Sequence, residues 1–335
     1  MIFETDFSLK KYNTFGIDAK AKQFKAIHSK EELANLLKNH DDIFILGGGS
    51  NMLLTKDIEK LVVHIDIKGI EVIDTNEDFV WIRANAGENW HHFVLYCIEN
   101  GYGGIENLSL IPGNVGTTPI QNIGAYGVEI KDTFFSCEAM EIATQKLVTF
   151  NKENCAFGYR ESVFKNELKN QYIITSVTFK LTKRNHLLNT SYGAIETELV
   201  SKNISLPTLK DISNAVINIR KSKLPDPKEL GNSGSFFKNP IIPLTVYQKA
   251  TIDYPKMPHY KVSETKVKVP AGWLIEQAGF KGKRFGDAGI HKDQALVLVN
   301  YGNATGEEIL AISRDIQKTI FNKFGISIET EVNII

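Results

Sequence analysis

The spacing of apolar positions changes several times along this chain, and each change marks a different element. Between Glu31 and Leu37 apolar residues recur at helical intervals, with Ser29 placed to cap the first turn. Asp42–Leu46 is a short strand-like apolar run that leads directly into Gly47-Gly48-Gly49-Ser50-Asn51. Met52–Leu54 and Leu61–Ile65 are further apolar segments, the second clearly strand-like. Beyond Lys68-Gly69 the pattern becomes alternation, which predicts strands over Glu71–Asp74, Val80–Asn85, Ser136–Glu141 and Tyr172–Lys180. A helix over Trp90–Glu99 and a long glycine-rich loop, Gly101–Gly127, interrupt them. Thr182–Leu209 is polar and irregular apart from a helix near Ala194–Val200. A helix over Ile212–Ile219 breaks at Lys223-Leu224-Pro225-Asp226-Pro227. The remainder predicts helices over Ala271–Ala278 and Gly306–Phe324 and a strand over Gln294–Asn300. A closing strand follows, with Glu329 and Glu331 on one face and Ile326 and Ile328 on the other. Breaks in organisation fall near residues 68 and 218.

Composition narrows the class. At 335 residues the chain is too long for one ordinary core. With 42% apolar and 23% charged residues it reads as a soluble globular protein. Thirty-nine basic and thirty-nine acidic side chains balance, so no global field favours nucleic acid or anionic lipid, and any anion site is local. The N-terminal stretch has early acids and no apolar signal core, and no apolar run is long enough to span a bilayer. Cys97, Cys137 and Cys155 are dispersed, as expected for reduced core thiols. The expectation is a cytoplasmic protein without membrane, nucleic-acid or obligate protein partners.

Gly231-Asn-Ser-Gly-Ser-Phe-Phe-Lys-Asn-Pro240 carries the most chemistry. Its glycines and closing Lys-Asn-Pro do not suit a core strand. Adjacent phenylalanines have little use in a solvent loop. The combination suits a tight turn on an apolar floor that presents Ser235, then an amine and an amide, to one ligand. Gly47–Asn51 lets backbone N–H groups converge on an anion, although a plain strand-exit turn has the same composition. It is neither a Walker loop nor G-x-G-x-x-G. Ile111–Gly127 is uncharged and mixes small residues with amides and hydroxyls, which suits close approach to a flat polar heterocycle; the alternative is a mere strand connection. Arg160, beside Tyr159, is a natural fork for a carboxylate, or else surface structure. Lys223 is either a phosphate contact or a solvated side chain. Glu331 is either a proton-transfer group beside apolar residues or an exposed edge-strand acid. His91-His92 do not share a helix face and have no ligand partners at suitable spacing, so no metal is expected.

Taken together and in order, these segments resemble the UDP-N-acetylenolpyruvoylglucosamine reductase family, type I. The resemblance rests on Asn13-Thr-Phe-Gly-Ile17, Leu46–Asn51, Ile111–Glu129, Tyr159–Lys165, Lys223–Lys228, Gly231–Pro240, Ala271–Phe280, Gly289–Tyr301 and Glu329–Val332, and so spans almost the whole chain. It implies an α+β protein of three domains. Residues 1–68 and 69–218 would form a PCMH-type (vanillyl-alcohol-oxidase-like) unit holding non-covalent FAD, and 219–335 would bind the UDP-sugar. NADPH would reduce FAD, and the flavin N5 hydride would attack the β-carbon of the enolpyruvyl ether, both substrates using the same face in turn.

By motif, Ser235 would protonate the α-carbon, while Arg160 binds the substrate carboxylate and, with Glu331, stabilises the enolate-like intermediate. The flavin contacts implied are Gly47, Gly48, Gly49, Ser50 and Asn51 in the first loop. In the second they are Ile111, Pro112, Gly113, Thr117 and Gln121, then Ile123, Gly124, Ala125, Tyr126 and Gly127; Arg220 completes the set. Tyr159, Lys223, Asn239 and Gln294 would contact the substrate, and Tyr192, in the loop Asn189–Gly193, would cover it. Ser233 stands where the family often has alanine, and Thr117 where it often has serine. Two other readings compete. A PCMH-type alcohol oxidase would need a different C-terminal domain and usually a flavin-linking His or Cys. A non-catalytic binder would have no need of Ser235, Arg160 and Glu331 together.

Overall fold

The computed structural model describes every residue, Met1–Ile335. Its backbone divides into two compact units.

The first unit comprises Met1–Phe7, Ala21–Gly48 and Ile58–Ser222. One of its sheets has the order Glu4–Ser8, Lys20–Ile27, Ile58–Ile65, Ile43–Leu46, and the last three strands run parallel. Parallel strands need a crossover, and the helix Lys30–Leu37 supplies the one that joins Lys20–Ile27 to Ile43–Leu46, on either side of Ile58–Ile65. Ser29 caps it as predicted, its hydroxyl accepting from the Glu32 N–H at 3.0 Å. Leu33, Leu36 and Leu37 bury their stripe against Ile27, Val63 and Ile65.

The second sheet is antiparallel, in the order Leu147–Asn151, Phe134–Glu141, Tyr172–Thr182, Phe79–Asn85, Ile70–Thr75. Along Phe79–Asn85 every second residue is buried (Val80, Ile82, Ala84), as the alternation predicts. The helix Trp90–Glu99 packs Trp90, Phe93 and Cys97 into the same core as Phe179. Gly101–Gly127 is more ordered than a plain loop. It contains 3-10 turns at Glu106–Leu108 and Val115–Thr117, and its end forms a hairpin, Gly124–Ala125 with Val128–Glu129. The helix expected over Ile212–Ile219 runs over Leu209–Lys223. Its early start follows from Thr208 and Asp211, which exchange backbone-to-side-chain hydrogen bonds across the first turn.

The second unit comprises Ser8–Lys20, Gly49–Asp57 and Lys223–Ile335. Its longest helix, Gly306–Phe324, begins at a Thr305–Glu308 capping box and ends at left-handed Gly325. Ile309, Ile316, Ile320 and Phe324 form its buried stripe. Two small antiparallel sheets accompany it: Ile241–Pro243, Lys266–Lys268, Tyr260–Lys261, and Arg284–Phe285, Ala288–Ile290, Leu298–Asn300. The helix Leu244–Asp253 has no counterpart in the sequence reading.

Two strand expectations need correction. Gln294–Asn300 narrows to Leu298–Asn300, because Gln294–Val297 closes as a turn with the Val297 N–H on the Gln294 carbonyl at 3.0 Å. Glu329–Val332 forms no ladder beyond one bridge, Thr330 to Phe237. The strand of the tail is Asn333–Ile334, paired in parallel with Met52–Leu53. Ile326 and Ile328 are buried and Glu329 exposed, so the alternation is real, but the extended segment pairs with Phe236–Lys238 only through that single bridge. No helix is long and apolar enough to cross a membrane.

Candidate active site

In the first unit the glycines of the two loops serve close backbone approach. A Cβ on Gly47 would lie 2.5 Å from the Thr117 methyl, and one on Gly48 would lie 2.7 Å from the Gly113 Cα. Any larger residue at either position would drive the loops apart. Gly116 is equally constrained, 2.4 Å from the Ala86 Cβ. The Thr117 hydroxyl donates to the Asn114 carbonyl at 2.8 Å, so it closes the turn locally.

Four non-glycine residues in this region adopt left-handed backbone: Leu110 (φ 59°), Asn122 (φ 45°), Tyr126 (φ 51°) and Arg160 (φ 58°). Such conformations persist only where the surroundings impose them. Asn122 is fully buried and accounts for much of the imposition. Its amide nitrogen donates to the Gly158 carbonyl at 2.9 Å and to a Glu129 carboxylate oxygen at 3.1 Å, while its oxygen accepts from the Lys131 N–H at 3.2 Å. The Ser162 hydroxyl donates to the Ile120 carbonyl at 2.6 Å, and Arg160 donates to the Gly124 carbonyl at 2.8 Å. The Tyr159–Lys165 segment is thereby sewn to the second glycine loop. The Arg160 guanidinium also lies 5.5 Å from the centroid of the exposed Tyr159 ring.

Arg220 donates to the Leu110 carbonyl at 3.2 Å and interacts electrostatically with Tyr126. Burial lowers its pKa, and no carboxylate is among the groups acting on it. A guanidinium held in that way lacks a resident counter-charge, and an anionic cofactor fits it. Burial also raises the Tyr126 pKa, against the Arg220 charge. Tyr126 meets Tyr192 edge-on at 5.3 Å, which places the tyrosine loop beside the glycine loop. Asn107 bridges the two by donating to the carbonyls of Tyr126 and Asn189; its own buried oxygen has no partner.

In the second unit, Phe236 and Phe237 are the buried floor expected beneath the serine loop. Gly231 is required, since a Cβ there would lie 2.2 Å from the Phe15 carbonyl oxygen. Asn13 holds the opposing segment in shape, its amide donating to the carbonyls of Leu9 and Ile17. The Ser233 hydroxyl is within 3.2 Å of the Thr14 hydroxyl and donates to the Met52 carbonyl at 3.3 Å. It is a buried tie, not a second hydroxyl on the ligand side. Gly234 is left-handed (φ 69°), and half-buried Ser235 follows, pairing through its backbone with Val297.

The Glu331 N–H donates to the Phe236 carbonyl at 2.8 Å, which brings the backbone of Glu331 beside the serine loop. Asn51 donates to the Glu331 carbonyl at 3.3 Å, and the Asn51 carbonyl accepts from the Asn333 N–H. Gly49 sits where a Cβ would lie 1.9 Å from the Tyr12 carbonyl oxygen. The Asn239 oxygen accepts from the Ala271 N–H at 2.9 Å at the start of Ala271–Gln277, and Gln294 borders the same helix at Gly272. Lys223 ends its helix exposed. Arg160 thus stands in the first unit, and Ser235 and Glu331 in the second.

Asn107 and Asn122 escaped the sequence reading. Each is a small polar residue in a loop rich in them, and only burial distinguishes it.

Comparison with known proteins adds independent information. The family profile for the C-terminal domain of UDP-N-acetylenolpyruvoylglucosamine reductase matches residues 226–335, and that for an FAD binding domain matches 22–151. The chain is 68% identical over 337 residues to the UDP-N-acetylenolpyruvoylglucosamine reductase of Flavobacterium johnsoniae, with complete coverage of both chains. It is 48% identical over 342 residues to that of Amoebophilus asiaticus, again with complete coverage. The crystal structure of the Thermus caldophilus reductase superimposes with a TM-score of 0.71 at 23% identity, covering 100% of this chain and 99% of that one, a likeness of fold.

Proposed function

The chain belongs to the UDP-N-acetylenolpyruvoylglucosamine reductase family, and from that membership we propose that it converts the enolpyruvyl ether of UDP-N-acetylglucosamine to UDP-N-acetylmuramate. The fold is α+β, with a PCMH-type FAD-binding part and a C-terminal domain, and the protein is an FAD-dependent NADP oxidoreductase. The setting is cytoplasmic synthesis of peptidoglycan precursors. The domain division runs at 1–68, 69–218 and 219–335.

Held by the two glycine loops and Arg220, FAD would supply the hydride chemistry between NADPH and the β-carbon of the enolpyruvyl group. The protein's part is to hold the substrate and manage charge and protons. Hydride addition drives negative charge toward the carboxylate, so a fixed guanidinium there lowers the barrier; Arg160 has that role. Ser235 delivers a proton to the α-carbon, and Glu331 supports the intermediate. Lys223, Asn239 and Gln294 bind the nucleotide-sugar, Tyr159 and Tyr192 flank it, and the two glycine loops with Arg220 hold FAD.

The observation that carries this reading is the serine loop. Ser233 is tied down to Thr14 and Met52, Ser235 is left partly accessible at the same turn, and Glu331 is fastened to the adjoining Phe236. The test is stopped-flow flavin absorbance with each substrate added separately. Ser235→Ala is expected to spare bleaching by NADPH and to slow re-oxidation by the enolpyruvyl sugar by orders of magnitude. Equal loss in both half-reactions would refute the proton-donor role. A protein that takes up no FAD would sink the whole reading.

A further inference from the structure

Leu110 immediately precedes the loop Ile111–Gly127 and is left-handed at φ 59°. Leucine has no side-chain group to stabilise that backbone, so neighbours must hold it. Two helices do so. His91, in Trp90–Glu99, accepts the Leu110 N–H on its Nδ1 at 2.9 Å. Arg220, in Leu209–Lys223, donates to the Leu110 carbonyl at 3.2 Å. One strained residue is therefore held at both its N–H and its C=O. The Arg220 charge also acts on Tyr126, near the end of the loop.

We propose that His91 is a positioning residue for the FAD loop: its neutral imidazole holds Leu110 in place, and protonation of Nδ1 releases the loop and weakens FAD binding. This rests on the reading that Ile111–Gly127 lies against FAD. A backbone N–H can only donate, so Nδ1 must carry a lone pair and the ring proton sits on Nε2. Every influence on the ring favours that neutral form. Burial is the largest, followed by the charges of His92 on the same helix and of Arg220 and Lys221 on the facing helix, and together they lower the His91 pKa from its ordinary 6.5. No carboxylate is among the groups acting on it. Below its lowered pKa the fraction of protein able to bind FAD falls, by up to about tenfold per pH unit for a single proton.

The test is FAD affinity of the full chain stripped of flavin, measured by quenching of flavin fluorescence between about pH 5 and 8. Wild-type affinity is expected to fall toward the acid end. His91→Asn keeps an acceptor near the Nδ1 position without a titrating group, so it should bind at neutral pH like wild type and lose most of that slope. His91→Phe keeps a ring but no acceptor, and is expected to bind about tenfold more weakly at every pH, the effect of one unpaired, half-buried N–H. Wild-type affinity in His91→Phe, or an unchanged slope in His91→Asn, would overturn the proposal. If His91→Phe does not fold, His91→Asn alone decides. Amide exchange across residues 110–117 with and without FAD separates the two levels of inference. Absence of protection would remove the loop from the FAD site, whereas protection combined with an unchanged His91→Asn slope would refute only the role of His91.

Discussion

Replacing Asn122 by alanine is the sharpest test of how the candidate site is held together. Asn122 is fully buried and ties three segments: Gly158 ahead of Arg160, Glu129 in the hairpin, and the Lys131 N–H. Alanine would leave the half-buried Lys131 N–H without its partner, at about 1–3 kcal/mol, while the Gly158 carbonyl keeps the Glu161 N–H. It would also have to adopt φ 45°, which asparagine tolerates better, adding about 1 kcal/mol. The expected loss is about 2–4 kcal/mol, a large share of the roughly 5–15 kcal/mol that holds a typical protein folded. Urea unfolding of the full chain reads it as a lowered midpoint at constant slope. Asn122→Asp separates the contributions, since it keeps the acceptor and the left-handed tolerance but sets a second carboxylate against Glu129. A loss below about 1 kcal/mol in Asn122→Ala would refute the claim that this side chain holds the loops, because even one unpaired, half-buried group should exceed it.

Lys223→Ala should weaken binding of the UDP-sugar while leaving FAD affinity intact, read by calorimetry; an unchanged dissociation constant would remove Lys223 from the diphosphate site. Thr208→Ala tests the cap that starts Leu209–Lys223, and should lower stability near neutral pH by about 1 kcal/mol. The Thr208 hydroxyl and N–H hold the Asp211 carboxyl below its ordinary 3.8. That stability is present above this value and lost as pH falls through the folded one. Thermal melts of wild type and Thr208→Ala should therefore converge in acid, and a constant difference would show that Asp211 is not the linked group.

The elements most legible in the sequence are those with both a period and a cap. Lys30–Leu37 and Gly306–Phe324 have apolar stripes that open at Ser29 and Thr305, and both sit where the pattern places them. Leu244–Asp253 was missed because Thr245, Val246, Thr251 and Ile252 are β-branched and Pro243 reads as a turn. Alternation over Ile326–Glu329 predicts a strand because it reports which side faces the core, but it says nothing of how long a hydrogen-bonded ladder runs.

The site divides in the same way. Glycine runs, the uncharged loop Ile111–Gly127 and the Gly-Ser-Phe-Phe turn are local signals, since each reflects what a few consecutive residues permit the backbone to do. From them the sequence by itself determined the order of elements, the loops that approach a ligand, and the residues with the right chemistry. Partnership across the chain was decided only by the tertiary structure. Ser233 meets Thr14, Asn51 reaches Glu331 across 280 positions, and His91 and Arg220 close on Leu110 from separate helices. Backbone geometry repeats every two or 3.6 residues and so leaves a trace in sequence. A hydrogen bond between distant segments has no period, and it exists only once the core has brought both ends together.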